Sequence, residues 1–133
     1  MASEGVVFGI TGGRRFKDEE FVWDCLTNFM VQSGPLAAMV NGMAREGVDL
    51  FAYRWAQQMN IPVREFPADW DAHGEAAGPL RNQEMIDANP DMKVMVVFPG
   101  HSGTSDMTRR CRKAGIERVF FTEHPSNSTV GWG

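Results

Sequence analysis

Apolar and polar positions along this chain fall into two alternating patterns. A continuous apolar run at Val94 to Phe98 reads as a strand buried on both faces, Val6 to Ile10 reads as a first buried strand, and Ala37 to Asn41 and Ile61 to Phe66, with Pro62 near its start, read as further strands. A last strand lies near Arg118 to Thr122. Between these runs the spacing changes to that of helices. From Lys17 to Ser33 the apolar positions Phe21, Val22, Cys25, Leu26, Phe29 and Met30 share one helical face, and Gly34-Pro35 stops the helix. From Val48 to Asn60 the stripe is Val48, Phe51, Ala52, Trp55, Ala56 and Met59. Pro79 to Ala88 reads as a short helix with proline in its first turn. Ser105 to Ala114 reads as another, with Thr104 or Ser102 as N-cap. Pro67 to Gly78, holding Trp70 and His73, reads as an irregular loop.

Strands alternating with helices of this length imply an α/β fold, a mainly parallel five-stranded sheet with helices on both faces. The 133 residues suit one compact domain, expected over residues 1–123, and the Ser-, Asn- and Gly-bearing end from His124 to Gly133 reads as a flexible tail. No apolar stretch approaches the roughly 20 residues needed to span a bilayer, and no signal peptide is visible before Val6. Cys25 and Cys111 lie far apart on helices, so they read as packed thiols of a reducing compartment; a cytoplasmic protein is expected. The net charge of -4 argues against nucleic acid as a partner. Ten of the 13 basic residues are Arg, which suits bidentate recognition of phosphate or carboxylate, although codon bias gives the same count.

In parallel sheets ligands sit beyond the carboxyl ends of the strands, at the switch point of strand order. Four segments fall on that edge: Thr11 to Arg15, Gly42 to Asp49, Pro67 to Arg81 and Pro99 to Asp106. The segment Pro99-Gly100-His101-Ser102-Gly103-Thr104 leads from a buried strand into a helix. Free backbone N–H groups and the helix dipole together make such a turn an anion site. Each loop alone is explained as a tight turn. Their convergence on one sheet edge points to a small phosphorylated ligand. No Gly-x-Gly-x-x-Gly follows the first strand and no Gly-Lys-Ser/Thr loop occurs, which disfavours hydride transfer and Mg-dependent phosphoryl transfer. No His/Cys cluster has metal spacing, so neither a metal nor a cofactor is expected.

The motifs Thr11-Gly12-Gly13-Arg14, Gly42-Met43-Ala44-Arg45-Glu46-Gly47-Val48-Asp49, Ala77-Gly78-Pro79-Leu80-Arg81-Asn82-Gln83-Glu84-Met85 and Pro99 to Met107 resemble, in this order, the YspA/YpsA-related branch of the SLOG superfamily. That superfamily joins Smf/DprA proteins and LOG (Lonely Guy) enzymes. The resemblance implies a single Rossmann-like domain that binds a nucleotide or nucleotide-derived ligand. Pro99 to Thr104 is similar to the LOG phosphate loop, with His101 in place of its second Gly. Arg81 and Met85 match the LOG Arg-Lys-x-x-Met motif, with Asn82 in the Lys position. LOG enzymes carry a catalytic Glu three residues after the loop Thr, and that position here is Met107. Asp106, one residue earlier, is the nearest acid; it either acts in catalysis beside Arg81 or caps its helix. Asp49, Asp69, Asp71 and Glu75 are alternative acids whose placement the sequence leaves open.

The expected ligand-binding set is Thr11, Gly12, Gly13, Arg14, Gly42, Met43, Ala44, Arg45, Asp49, Arg81, Asn82, Pro99, Gly100, His101, Ser102, Gly103 and Thr104. Arg14 and Arg45 would hold phosphates; the commoner fate of a lone Arg is a solvated charge. Trp70 stacks on a base, closes a dimer contact or covers the core edge. Two functions follow. One is a module that senses or sequesters a nucleotide-derived signal; the other is a LOG-like phosphoribohydrolase that cleaves the N-glycosidic bond of a nucleoside 5′-monophosphate. A homodimer or higher homo-oligomer is expected.

Overall fold

The computed structural model describes residues 5–122. The expected tail from His124 to Gly133 lies outside them. Five strands form one sheet: β1 (Val6–Thr11), β2 (Leu36–Asn41), β3 (Val63–Glu65), β4 (Met92–Val97) and β5 (Glu117–Phe120). Their order is β3-β2-β1-β4-β5, and every neighbouring pair is parallel. The helices are α1 (Glu19–Ser33), α2 (Val48–Gln58), a single turn α3 (Trp70–His73), α4 (Ala77–Asp87) and α5 (Ser102–Ala114). Strand order reverses between β1 and β4, which sets the switch point there.

Each strand side feeds a separate core, as its alternation requires. Phe8 and Ile10 of β1, Met39 of β2, and Val94 and Val96 of β4 face α1 and α2, among Phe21, Leu26, Phe29 and Trp55. Val7, Ala38, Val40, Met95 and Val97 face α4 and α5, among Met85, Ile86, Met107 and Cys111. The first core is aromatic, with Phe98 stacked on Phe121 at 5.8 Å between ring centres. The second is methionine-rich, and Gly9 leaves it room: a Cβ there would lie 2.8 Å from the Met92 sulfur. Two indole hydrogen bonds tie α1 to α2, from Trp23 Nε1 to the Phe51 carbonyl (3.0 Å) and from Trp55 Nε1 to Thr27 Oγ1 (3.1 Å). Burial pushes the Cys25 thiol up to about 12 and the Cys111 thiol up to about 11, so both stay protonated and inert.

The doubly covered parallel sheet agrees with the sequence expectation, while several boundaries differ, β5 among them at Glu117–Phe120 rather than Arg118 to Thr122. Helix α1 starts at Glu19 because Asp18 caps it, its Oδ1 accepting from the Phe21 N–H at 3.0 Å. Strand β3 keeps only Val63 to Glu65 of the expected Ile61 to Phe66. Pro62 has no N–H to give, and its carbonyl alone joins the ladder, accepting from the Met39 N–H. Of the expected irregular loop Pro67 to Gly78, only Pro67 to Asp69 is irregular. Asp69 caps α3 through the Ala72 N–H, a 3₁₀ turn follows at Gly74–Ala76, and α4 begins at Ala77. Pro79 is its third residue, where no N–H is yet required. Finally, α5 begins at Ser102, three residues earlier than expected. Ser102 and Thr104 therefore lie inside the helix, and its N-cap is His101, whose side chain makes no capping bond. Asp106 is likewise an interior residue of α5, not a cap. Among the described residues no helix is long and apolar enough to cross a membrane.

Candidate functional site

Beyond the carboxyl ends of β1 and β4 the chain forms a half-open cavity of about 840 Å³. Two loops form its floor, held together by main-chain contacts. The Gly13 N–H donates to the Pro99 carbonyl at 2.8 Å, and the Phe98 N–H donates to the Thr11 carbonyl at 2.9 Å. Close approach makes glycine necessary at Gly12 and Gly100. A Cβ on Gly12 would lie 2.6 Å from Val48 Cγ2, and one on Gly100 would lie 2.8 Å from the Gly13 nitrogen. Gly103 is different. Among the described residues nothing lies within 4 Å of where its Cβ would be, so its bare backbone opens onto the cavity. The first N–H groups of α5 have no intrahelical partners, and the N-cap side chain makes no bond to them.

The β2 loop forms the next wall, and Asn41 organises it. This fully buried side chain accepts from the Met43 N–H (2.7 Å) and donates to the Asp49 carbonyl (3.0 Å). Met43 thereby takes the left-handed conformation, with φ 59. Gly47, at φ 77, brings Val48 against the β1 loop, where its N–H donates to the Gly13 carbonyl. Asn41 is absent from the site expected on sequence; the Asn-Gly pair at Asn41-Gly42 is the available turn signal.

Of the expected residues, Thr11, Gly12, Gly13, Arg14, Gly42, Ala44, Asp49, Arg81, Asn82, His101, Ser102, Gly103 and Thr104 line the cavity, as does Asp106. Met43, Arg45, Pro99 and Gly100 do not; Arg45 is exposed on the loop exterior, and Gly100 supports the floor from behind. Of the other acids, Glu75 lines the cavity while Asp69 and Asp71 do not. Arg15, Glu46, Trp70, Gly78, Pro79, Met85 and Arg109 complete the walls, with Ile10 at the base.

Arg81 comes from α4, half-buried. Its Nη1 donates to the Gly42 carbonyl at 2.6 Å and its Nε to Asn82 Oδ1 at 3.0 Å. Burial pulls its basicity down, the Asp49 charge pushes it up, and Arg14 pulls it down again. Asp49 Oδ2 accepts from the Ala44 N–H at 3.1 Å. Burial raises this carboxyl to about 6 despite that hydrogen bond and the nearby Arg81 and Arg14 charges.

Asp106 is fixed by three donors. Its Oδ2 accepts from Asn82 Nδ2 (3.0 Å) and Arg110 Nε (2.7 Å), and its Oδ1 from Arg109 Nη2 (2.6 Å). Burial alone would raise its pKa; the Arg110 and Asn82 hydrogen bonds and the charges of Arg110 and Arg109 outweigh it and hold the group below the usual carboxylate value. Met107, its neighbour, is 1% exposed and packs in the methionine-rich core. Only the cavity side of α5 can present an acid, so position 107 does not supply one. Among the described residues no three His, Cys, Asp or Glu side chains cluster as metal ligands.

This architecture has known relatives. A family model described as YAcAr, the YspA, cpYpsA-related SLOG family, matches residues 6–73. Gene 61 protein of Mycobacterium phage D29 is 42% identical over 123 residues, 87% of this chain and 96% of that protein. The chain belongs to the YspA, cpYpsA-related SLOG family. The family match runs from β1 through α3 and so takes in the Thr11 to Arg15 and Gly42 to Asp49 loops. In this SLOG protein the remaining walls come from α4 and α5, beyond the matched stretch. Family membership suggests nucleotide-related binding or LOG-like function.

Proposed function

We propose that the cavity at the carboxyl edge of the sheet binds a nucleotide or nucleotide-derived phosphorylated molecule, and that the domain, residues 1–123, senses or sequesters it. The uncapped first turn of α5, opened by the bare backbone of Gly103 beside the Gly12-Gly13-Arg14 loop, carries this reading. Main-chain N–H groups and a guanidinium there suit a phosphate. The volume lies in the range of small-ligand sites and exceeds what a bare anion fills.

A second reading, N-glycosidic hydrolysis of a nucleoside monophosphate, finds support in Asp49. A buried carboxyl with a pKa of about 6 exchanges a proton near neutrality, as a general acid or base must. Against it stand the roles first expected of Arg81 and Asp106. Arg81 is committed to the Gly42 carbonyl, and Asp106 is neutralised by two arginines. A carboxylate so paired is a weak base and gives little positive-charge stabilisation at a ribose.

Calorimetric titration with AMP and ADP-ribose tests binding. Gly103→Asp and Arg14→Ala should each weaken it by about tenfold or more, the loss of one charge-assisted contact. Unchanged affinity in both variants would place the site elsewhere. Chromatography of free base after incubation with purine monophosphates tests hydrolysis. Turnover should stay well under the order of 1 s⁻¹ typical of enzymes. Faster release, abolished by Asp106→Asn or Asp49→Asn, would make this an enzyme and identify its acid.

A further inference from the structure

The wall contributed by α3 and the first turn of α4 differs in chemistry from the α5 wall. It carries a large aromatic ring, a carboxylate and two residues without bulky side chains, Gly78 and Pro79. Trp70 is 46% exposed, although it lines the cavity and sits on a capped turn. A half-exposed indole at a cavity wall leaves apolar surface open to a ligand. Gly78 lies against it: a Cβ there would already stand 3.4 Å from the far edge of the indole ring, so a larger residue would push the ring out of place. The guanidinium of Arg14 lies over the indole, 5.1 Å from its centre. A cation therefore sits over the ring where a flat base would stack. Glu75, in the 3₁₀ turn that joins α3 to α4, stands on the same wall.

We infer that Trp70 is the stacking platform for a purine base and that Glu75 accepts hydrogen bonds from the base's N–H edge. The inference rests on the nucleotide reading above and extends it to the class of base. When a phosphorylated ligand enters, Arg14 exchanges its contact with the indole for charge-assisted hydrogen bonds to phosphate, and the base takes the vacated face. The cavity volume accommodates a base in addition to a ribose phosphate. Guanine fits Glu75 best, because its ring N–H and amino group point the same way and match two carboxylate oxygens; adenine offers only its amino group.

Titrating the wild type, Trp70→Ala, Trp70→Phe and Glu75→Gln with GMP, AMP and ribose 5-phosphate tests this. Trp70→Ala should lose about tenfold or more in affinity for both nucleotides, and Trp70→Phe should recover most of it, while ribose 5-phosphate stays within about twofold throughout. Glu75→Gln should weaken GMP by about fivefold and AMP less. Equal losses for ribose 5-phosphate and the nucleotides in Trp70→Ala would mean that the ring acts only through Arg14, and would overturn the base subsite. Unchanged GMP affinity in Glu75→Gln would remove Glu75 from it. Tight nucleotide binding indifferent to Trp70 sinks the subsite alone, whereas a wild type that binds none of the three sinks the nucleotide reading with it. Thermal unfolding of each variant separates loss of fold from loss of binding.

Discussion

Asp49, on the β2–α2 wall, and Asp106, on the α5 wall, face one cavity with nearly equal exposure, 8% and 9%. They are nonetheless opposite in character. Asp49 has one main-chain donor and positive charge nearby but no side-chain ion pair, and burial prevails, lifting it to about 6. Asp106 has three side-chain donors, two of them arginines, and pairing prevails over burial. Burial alone thus says nothing about the state of an acid; the count and charge of its donors do. The cavity consequently has a rigid, charge-compensated wall and a wall with a labile proton. The first suits holding a ligand, and the second suits responding to one.

The contrast predicts a large effect at the residue beside Asp106. Met107→Glu puts a carboxylate into the methionine-rich core and should cost at least about 4 kcal/mol, read as loss of cooperative thermal unfolding. It should bring no release of base, because the side chain points away from the cavity. A folded, hydrolytic Met107→Glu protein would mean that α5 turns its other side to the ligand.

The two acids should also respond oppositely to pH. Asp106 has a folded pKa below its unfolded value near 4, so its stabilisation is present above pH 4 and is lost as pH falls through the folded value. Asp49 has a raised folded pKa. Its protonated form is favoured by folding, and that contribution is lost as pH rises through about 6. Asp49→Asn, in urea unfolding at pH 8, should therefore be more stable than the wild type by on the order of 2 kcal/mol, and the gain should vanish near pH 4. Asp106→Asn should lose about 2 kcal/mol at pH 8, as buried donors lose a charged acceptor. Matching signs for the two variants would erase the distinction between the walls.

The smallest effect tests the floor between them. A Cβ at Gly103 meets nothing among the described residues, so Gly103→Ala should stabilise the protein by roughly 0.5 kcal/mol through better helix propensity. Its AMP affinity should fall if the bare backbone is there for the ligand. Stabilisation without any loss of affinity would make Gly103 incidental.

Much of this was legible in the residues. The continuous runs of β1, β2 and β4 could only be buried strands, and the Phe21 to Phe29 stripe could only be a helix face. Motif order was enough to name the family, which the family model bears out. Failures came where a local signal competed with another. Asp69 was a readable cap for α3, but Pro67, Gly74 and Gly78 around it suggested a loop. Gly103 and the two hydroxyl residues beside it looked like the end of a turn, and they are the first turn of α5 instead.

Sequence by itself determined the alternation of strands and helices, the Gly-bearing loops and therefore the sheet edge on which a site belongs, because these follow from periodicity and from backbone freedom within a few residues. Tertiary structure alone decided which acids the cavity receives and in what state. Asp106 meets Asn82 across 24 positions, Arg81 reaches the Gly42 carbonyl across 39, and Arg45 turns outward from the same loop that presents Asp49. Burial, the Asn82 donor and the side of a helix that faces a cavity are properties of packing between distant segments; only the Arg109 and Arg110 donors, three and four residues beyond Asp106 on α5, follow a local spacing.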